Sequence, residues 1–289
     1  MSTTAAQLTS KIDVKNLARP KPFVKWVGGK RKLVPTLLEM IPEFGQYHEP
    51  FVGGGALFFG LAATDVTGVW ANLSDQNLRL IRTYRAIRDD LSGVLCRLEE
   101  MASGHCKELY YEVRDQDIDG ARADADVAAW FIYLNRTGFN GLYRVNRSGR
   151  FNVPLGRYAN PNICDEKNLS LVHRVLQNTE IRHENFEGVY DRAEAGDLVY
   201  FDPPYVPRSP TSSFTSYTAD GFNLPEQERL RDIARALKHR GGHILLSNSD
   251  TPVVRELYSE GFEMEQVFMG RAINSRASGR GAVPELVVW

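Results

Sequence analysis

The sequence predicts an α/β protein in which a sheet built from βαβ units carries a small helical and hairpin insertion. Three observations predict it. Residues 47–75 read as a strand, a glycine turn, a helix and a second strand ending in an acid. Residues 196–249 resume that alternation with GDLVYFDPPY, an amphipathic stretch and HILLSN. Between the two, no Asp or Glu occurs from Val127 to Cys164 while five arginines accumulate, and this change of character marks an insertion. The chain has 289 residues, 43% hydrophobic and 25% charged, which excludes a mainly disordered, collagen-like or fibrous protein. That length suits one large domain or one domain carrying an insertion.

Each element follows from local pattern. Residues 1–20 are polar and aperiodic and are expected to form a loose tail. The first apolar segment is FVKWVGGK, Phe23 to Lys30. From Tyr47 a β-like run ends in EPF, the cluster VGGG turns the chain, ALFFGLAA reads as helix and VWANLSD as strand. Leu78 to Glu100 is expected to be one helix, with Leu78, Ile81, Ile87, Leu91, Val94 and Leu95 on a shared buried side. The insertion opens with the apolar VAAWFIYLN and continues as TGFNGLYRVNRSGRFNVPLGRY, with Ser148-Gly149 as a hairpin turn. Further on, Asn223 and Glu226 form a capping box for a helix whose apolar face is Leu230, Ile233, Ala234 and Leu237, and Gly241-Gly242 ends it.

Three scattered cysteines, Cys96, Cys106 and Cys164, offer neither a disulfide framework nor a zinc half-site. His239 and His243 are separated by two glycines, and no HExxH or Cys/His cluster occurs, so no metal is expected. The most apolar run, Ala56 to Ala63, is far shorter than a bilayer span, and the N-terminus lacks a basic start followed by an apolar core. A cytoplasmic protein that neither crosses a membrane nor is secreted is the expectation.

The chemistry concentrates at strand ends. Asp202-Pro203-Pro204-Tyr205 directly follows the β-rich run Leu198 to Phe201, and an acid there lies where α/β sheets bind ligands. Two prolines remove two N–H donors, so the loop presents acceptors, the Asp202 carboxylate and the Pro203 carbonyl. Such a site suits a substrate offering N–H donors, and Tyr205 adds a ring on which a planar base could stack. An exocyclic amino group on an aromatic ring is a poor nucleophile because its lone pair is delocalised; two acceptors on its hydrogens favour the pyramidal form. The competing reading is a plain strand-ending turn. Gly53, Gly54 and Gly55 let a backbone approach a ligand at a helix N-terminus or merely pack strand on helix. Asp75, 20 residues beyond Gly55, stands at the spacing of an acid that reaches ribose hydroxyls, or serves as the N-cap of the following helix.

With FVKWVGGK, EPFVGGG, NRTGFNGLYRVNRSGRFNVPLGRY and DPPY in this order, the chain resembles the Dam-type DNA adenine-N6 methyltransferases, the alpha class of amino-methyltransferases, from about Phe23 to its end. RAINSRASGRGAVPELVVW looks like that family's closing hairpin. The resemblance implies a Rossmann-like S-adenosylmethionine-dependent methyltransferase fold, with residues 21–77 and 159–289 catalytic and residues 78–158 an inserted target-recognition domain. It implies cofactor contacts at Trp26, Lys30, Phe51, Gly53, Gly55, Asp75, Asn185, Phe186 and Asp202, and catalytic roles for Asp202, Pro203, Pro204 and Tyr205. DNA contacts fall to Lys25, Phe139, Asn140, Leu142, Arg144, Pro154, Arg157 and Tyr158. Arg144 would read a guanine edge and Phe139 would wedge into the opened stack; core or solvated roles are the alternatives. The partner implied is double-stranded DNA with a short, GATC-like palindrome, engaged by a monomer or a dimer. Two rivals stay open at this point. A nicotinamide-dependent dehydrogenase shares the glycine turn and strand-end acid but leaves DPPY unexplained, and a non-catalytic DNA-binding regulator could retain the fold.

Overall fold

A computed structural model of the chain describes residues 19–63, 70–120, 122–206, 222–270 and 282–289. The expected tail, apart from Arg19 and Pro20, and residues 271–281 of the expected closing hairpin lie outside the described residues. In chain order the elements are α1 (Val34–Met40), β1 (Tyr47–Glu49), α2 (Ala56–Ala62), β2 (Ala71–Asp75), α3 (Leu78–Asp89), α4 (Leu91–Ser103), α5 (Lys107–Asp115) and α6 (Asp124–Thr137). There follow α7 (Glu166–Leu176), β3 (Thr179–His183), β4 (Leu198–Phe201), α8 (Leu224–His239), β5 (His243–Ser249), α9 (Pro252–Leu257), β6 (Met264–Gly270) and β7 (Ala282–Val288).

The strands form one sheet in the order β3-β2-β1-β4-β5-β7-β6. The first five are parallel, and β7 runs antiparallel to both β5 and β6. Period-two alternation explains why helices cover both faces. On β4, Leu198 and Tyr200 join the core under α2, α3 and α6, while Val199 and Phe201 join a second core under α8 and α9. A strand buried on both sides reads as a continuous apolar run, which is what LVYF is.

Two local expectations are corrected. Leu78 to Glu100 is not one helix: Asp90 leaves helical geometry between α3 and α4, and its carboxylate accepts from the Gly93 amide at 3.0 Å to cap α4. Asp75 is not the cap of α3; Asn77 is, accepting from the Leu80 amide at 3.2 Å. The capping Asn223 does accept from the Glu226 amide at 3.2 Å. Gly241, at φ 96°, closes α8 through Gly241 N–H to the Lys238 carbonyl and Gly242 N–H to the Leu237 carbonyl.

Within the expected insertion, α6 is buried almost all round, including Trp130, Phe131, Tyr133 and Leu134, so it is the core of its module rather than a surface helix. The Ser148-Gly149 hairpin is present: Val145 bridges Phe151, and the Asn146 side chain accepts from the Ser148 and Arg150 amides. Among the described residues no helix is long and apolar enough to cross a membrane.

Candidate active site

Strand order reverses between β1 and β4, and a doubly wound sheet opens a crevice at the carboxyl ends of such a pair. A cavity of about 1090 Å³ lies there. It is lined by the Trp26 to Lys30 segment, the Phe51 to Gly55 turn, Asp75, Phe186 and the whole of Asp202 to Tyr205. The fold thus brings together motifs that lie some distance apart in sequence.

Asp202 leaves the end of β4 against Lys30, whose ammonium lies 2.9 Å from its Oδ1 and is itself 2% exposed. The same ammonium donates to the Gly28 carbonyl and stands 4.4 Å from the centre of the Tyr205 ring. Burial pushes the Asp202 carboxyl up to about 6, with Lys30 pulling it down and Glu285 on β7 pushing it further up. Tyr205 donates to Glu285 at 3.0 Å, so its ring is held at both ends of its polarity. Lys30, expected as a cofactor contact, is the counter-ion of Asp202.

The glycine turn is shaped by close approach. Gly53, at φ 47°, faces the Trp26 indole so closely that a Cβ would lie 2.6 Å from the ring, and its amide donates to Asp75 Oδ2 at 3.0 Å. The other Asp75 oxygen accepts from the Asn77 amide at 2.9 Å. Trp26 stacks on Tyr143 and Phe131, with centroids at 5.8 and 6.2 Å, tying the cavity wall to α6 and the hairpin. Phe51 stacks on Phe186 at 5.3 Å, and Phe222 meets both edge-on. Beside Phe186, the buried side-chain oxygen of Asn185 has no protein partner.

Glu49 was not singled out from the sequence and lines the same cavity. It is 2% exposed and accepts from the Tyr47 hydroxyl at 2.9 Å. Burial raises its carboxyl to about 8. The signal was available: Tyr47 and Glu49, two apart on a strand, share a face.

The expected DNA contacts gather around the insertion. Phe139 is 47% exposed on a 3-10 turn, Phe139–Gly141, and Asn140 beside it takes a left-handed φ of 55°. Pro154, Arg157 and Arg144 are exposed, whereas Leu142 is half-buried against the core. The Arg144 guanidinium bonds Asn152 across the hairpin, at 2.7 Å to its side chain. Lys25 donates to the Tyr158 hydroxyl at 3.1 Å. Arg136 differs from the other four arginines of the acid-free stretch: it turns inward and donates to the Phe23 carbonyl at 2.9 Å.

The donor set fits a nucleoside cofactor. Stacked phenylalanines suit an adenine ring, the strand-end carboxylate of Asp75 suits hydroxyl donors, and the buried acids suit a cationic sulfonium and ammonium. The volume also leaves room for a second planar base. A parallel sheet closed by an antiparallel hairpin, with this crevice at its switch point, defines a Rossmann-like S-adenosylmethionine-dependent methyltransferase.

Residues 26–272 match the model of the D12 class N6 adenine-specific DNA methyltransferases, and the chain belongs to that family. It is 40% identical over 280 residues to the type II methyltransferase M1.LlaDCHI of Lactococcus lactis subsp. cremoris, an alignment covering 95% of this chain and 96% of the relative. The type II methyltransferase M.MjaIII of Methanocaldococcus jannaschii is 41% identical over 278 residues, 90% of this chain and 95% of that one. The DNA adenine methylase of Escherichia coli K12 is 34% identical over 273 residues, 94% and 95% of the two chains. The protein is thus an enzyme that transfers a methyl group from S-adenosylmethionine to N6 of adenine in double-stranded DNA. A nicotinamide-dependent dehydrogenase does not account for this match.

Proposed function

We propose that Asp202 and the Pro203 carbonyl hold the amino group of an adenine extruded from the duplex, and that Tyr205 stacks on its ring. The observation that carries this is the half-buried Asp202 carboxylate, paired with Lys30 at 2.9 Å at the head of a two-proline loop that lines the cavity. A stacked and paired adenine cannot reach such a site, so extrusion belongs to the mechanism. Lys30 already covers one face of the Tyr205 ring, and the base takes the other. When bound, S-adenosylmethionine supplies an electrophilic methyl group. Trp26, Lys30, Phe51, Gly53, Gly55, Asp75, Asn185 and Phe186 would hold it, the stacked Phe51 and Phe186 offering an apolar surface suited to an adenine ring. The two acceptors keep the target nitrogen pyramidal, so that its lone pair is free to attack.

Residues 21–77 and 159–289 supply this chemistry, and residues 78–158 read the target. Arg144 addresses a guanine edge, Phe139 fills the space the base leaves, and Lys25, Asn140, Leu142, Pro154, Arg157 and Tyr158 line the DNA side. The target is a short, GATC-like palindrome, and the enzyme works in the cytoplasm on the nucleoid. Single-molecule sequencing of DNA treated with the purified protein tests the reading, because modified base and motif are read together. Modified adenine in one short palindrome is expected; modified cytosine or scattered sites would reject it.

A further inference from the structure

The loop that presents Asp202 cannot hold itself in place. Pro203 and Pro204 have no N–H, so the usual turn bonds are missing, and besides the side-chain contacts of Asp202 with Lys30 and of Tyr205 with Glu285 the loop's backbone is held through the Pro204 carbonyl and Val206. The structure supplies that anchor from two other elements. On α8, Gln227 is 1% exposed and donates to the Pro204 carbonyl at 3.0 Å. Its side-chain oxygen accepts at 3.1 Å from the amide of Asn248, which lies fully buried near the end of β5. The Asn248 oxygen accepts in turn from the backbone N–H groups of Val206, at 3.3 Å, and Ser249, at 2.8 Å. Ser249 completes the clamp by donating its hydroxyl to the Val206 carbonyl at 2.8 Å.

The polarity of this chain is fixed at its origin. Two backbone donors require oxygen at one end of Asn248, which turns its NH2 toward Gln227. Gln227 must then offer oxygen to Asn248 and NH2 to Pro204. With the Pro204 carbonyl taken, the neighbouring Pro203 carbonyl is directed by two rigid proline rings.

We propose that Gln227 and Asn248 are positioning residues for methyl transfer: a one-way amide relay that aims the Pro203 carbonyl and Asp202 at the target amino group. This rests on the reading of Asp202 and Pro203 as the holders of that group. The test uses Gln227→Glu, which replaces the donor to Pro204 by an acceptor, and Asn248→Asp, which keeps both backbone bonds but loses the donor to Gln227. Each is expected to lower the single-turnover methylation rate on the order of 10–100-fold. Affinities for S-adenosylmethionine and for duplex should stay within about twofold of wild type. Because both changes break one chain, the double variant should be no slower than the slower single variant. A Gln227→Glu enzyme with wild-type single-turnover rate would overturn the proposal, as would additive losses in the double variant. Loss of cofactor binding by both single variants would reassign the pair to a purely structural role. Asp202→Ala, measured alongside, separates the two readings. If it stays active, the assignment of the amino-group holder fails; if it is dead while Gln227→Glu is normal, only the relay fails.

Discussion

An ionised Asp202 is a stronger acceptor for a neutral amino group than a protonated one, and Lys30 is the group that holds it ionised against the cost of desolvation. Since the carboxyl is raised to about 6, lowering the pH through that value protonates it and replaces the charged acceptor by a weaker, neutral one. The single-turnover rate at saturating cofactor should therefore fall on the acid side with an inflection near 6, and Lys30→Met should move that inflection to higher pH. An unshifted inflection in Lys30→Met would remove Lys30 from this role. Glu49 is the opposite case, a buried carboxyl at about 8 that accepts from the Tyr47 hydroxyl and the Phe58 backbone rather than from a cation. The folded state keeps its proton where the unfolded chain has lost it, so folding is penalised as pH rises from 4.5 to about 8. Glu49→Gln removes that penalty, and thermal unfolding should show its stability advantage over wild type widening across this window by up to about 1.4 kcal/mol per pH unit. A constant gap would contradict it. Asp202 was legible because a carboxylate followed by two prolines at a strand end has few structural uses. Glu49 was legible only in part: its spacing puts it on one face with Tyr47, but a glutamate before a proline is ordinary in a surface turn, and its burial depends on the sheet around it.

At the scale of elements, the hairpin that carries Arg144 is braced by one side chain of α3. Arg79 donates to the Gly149 carbonyl at 2.8 Å and to the Tyr143 hydroxyl at 3.3 Å, and its guanidinium pairs with Asp119. Arg79→Ala should release the hairpin. Hydrogen exchange is expected to rise over residues 145–151, and discrimination between cognate and altered duplexes to shrink, with cofactor affinity little changed. Unchanged exchange in that segment would show that the brace is dispensable. Strands β1, β2, β4 and β5 and helices α2 and α8 were legible from alternation, glycine turns and caps. The break between α3 and α4 was not, since the apolar spacing runs through it and only the Asp90 cap marks it. Strand β3 escaped for a different reason. TEIRH is an edge strand whose outer carbonyls are met by arginines, Arg85 on Ile181 and Arg88 on Thr179, so it carries little apolar signal.

For the molecule as a whole, a net charge of −1 hides an uneven distribution. Residues 11–32 hold eight basic residues and one acid, and the acid-free stretch holds five arginines, of which Arg144, Arg147, Arg150 and Arg157 are exposed. Duplex binding should weaken steeply and log-linearly as salt is raised, read by fluorescence anisotropy; affinity flat in salt would contradict a phosphate-contacting role for these arginines. The acid-free stretch was visible as this shift in charge, whereas the meeting of its helix and hairpin with the cavity wall was not. It runs through Trp26, Tyr143 and Phe131, whose contact depends on tertiary packing that no local pattern announces. In the proposed mechanism Asp202 presents an extruded adenine for methylation at N6. Duplex DNA incubated with methyl-labelled S-adenosylmethionine and then digested to nucleosides tests it most directly. Label in N6-methyl-2′-deoxyadenosine with the wild-type enzyme, and none with a folded, cofactor-binding Asp202→Ala protein, is the result expected. Label in a methylated cytosine, or near-normal labelling by Asp202→Ala, would contradict it.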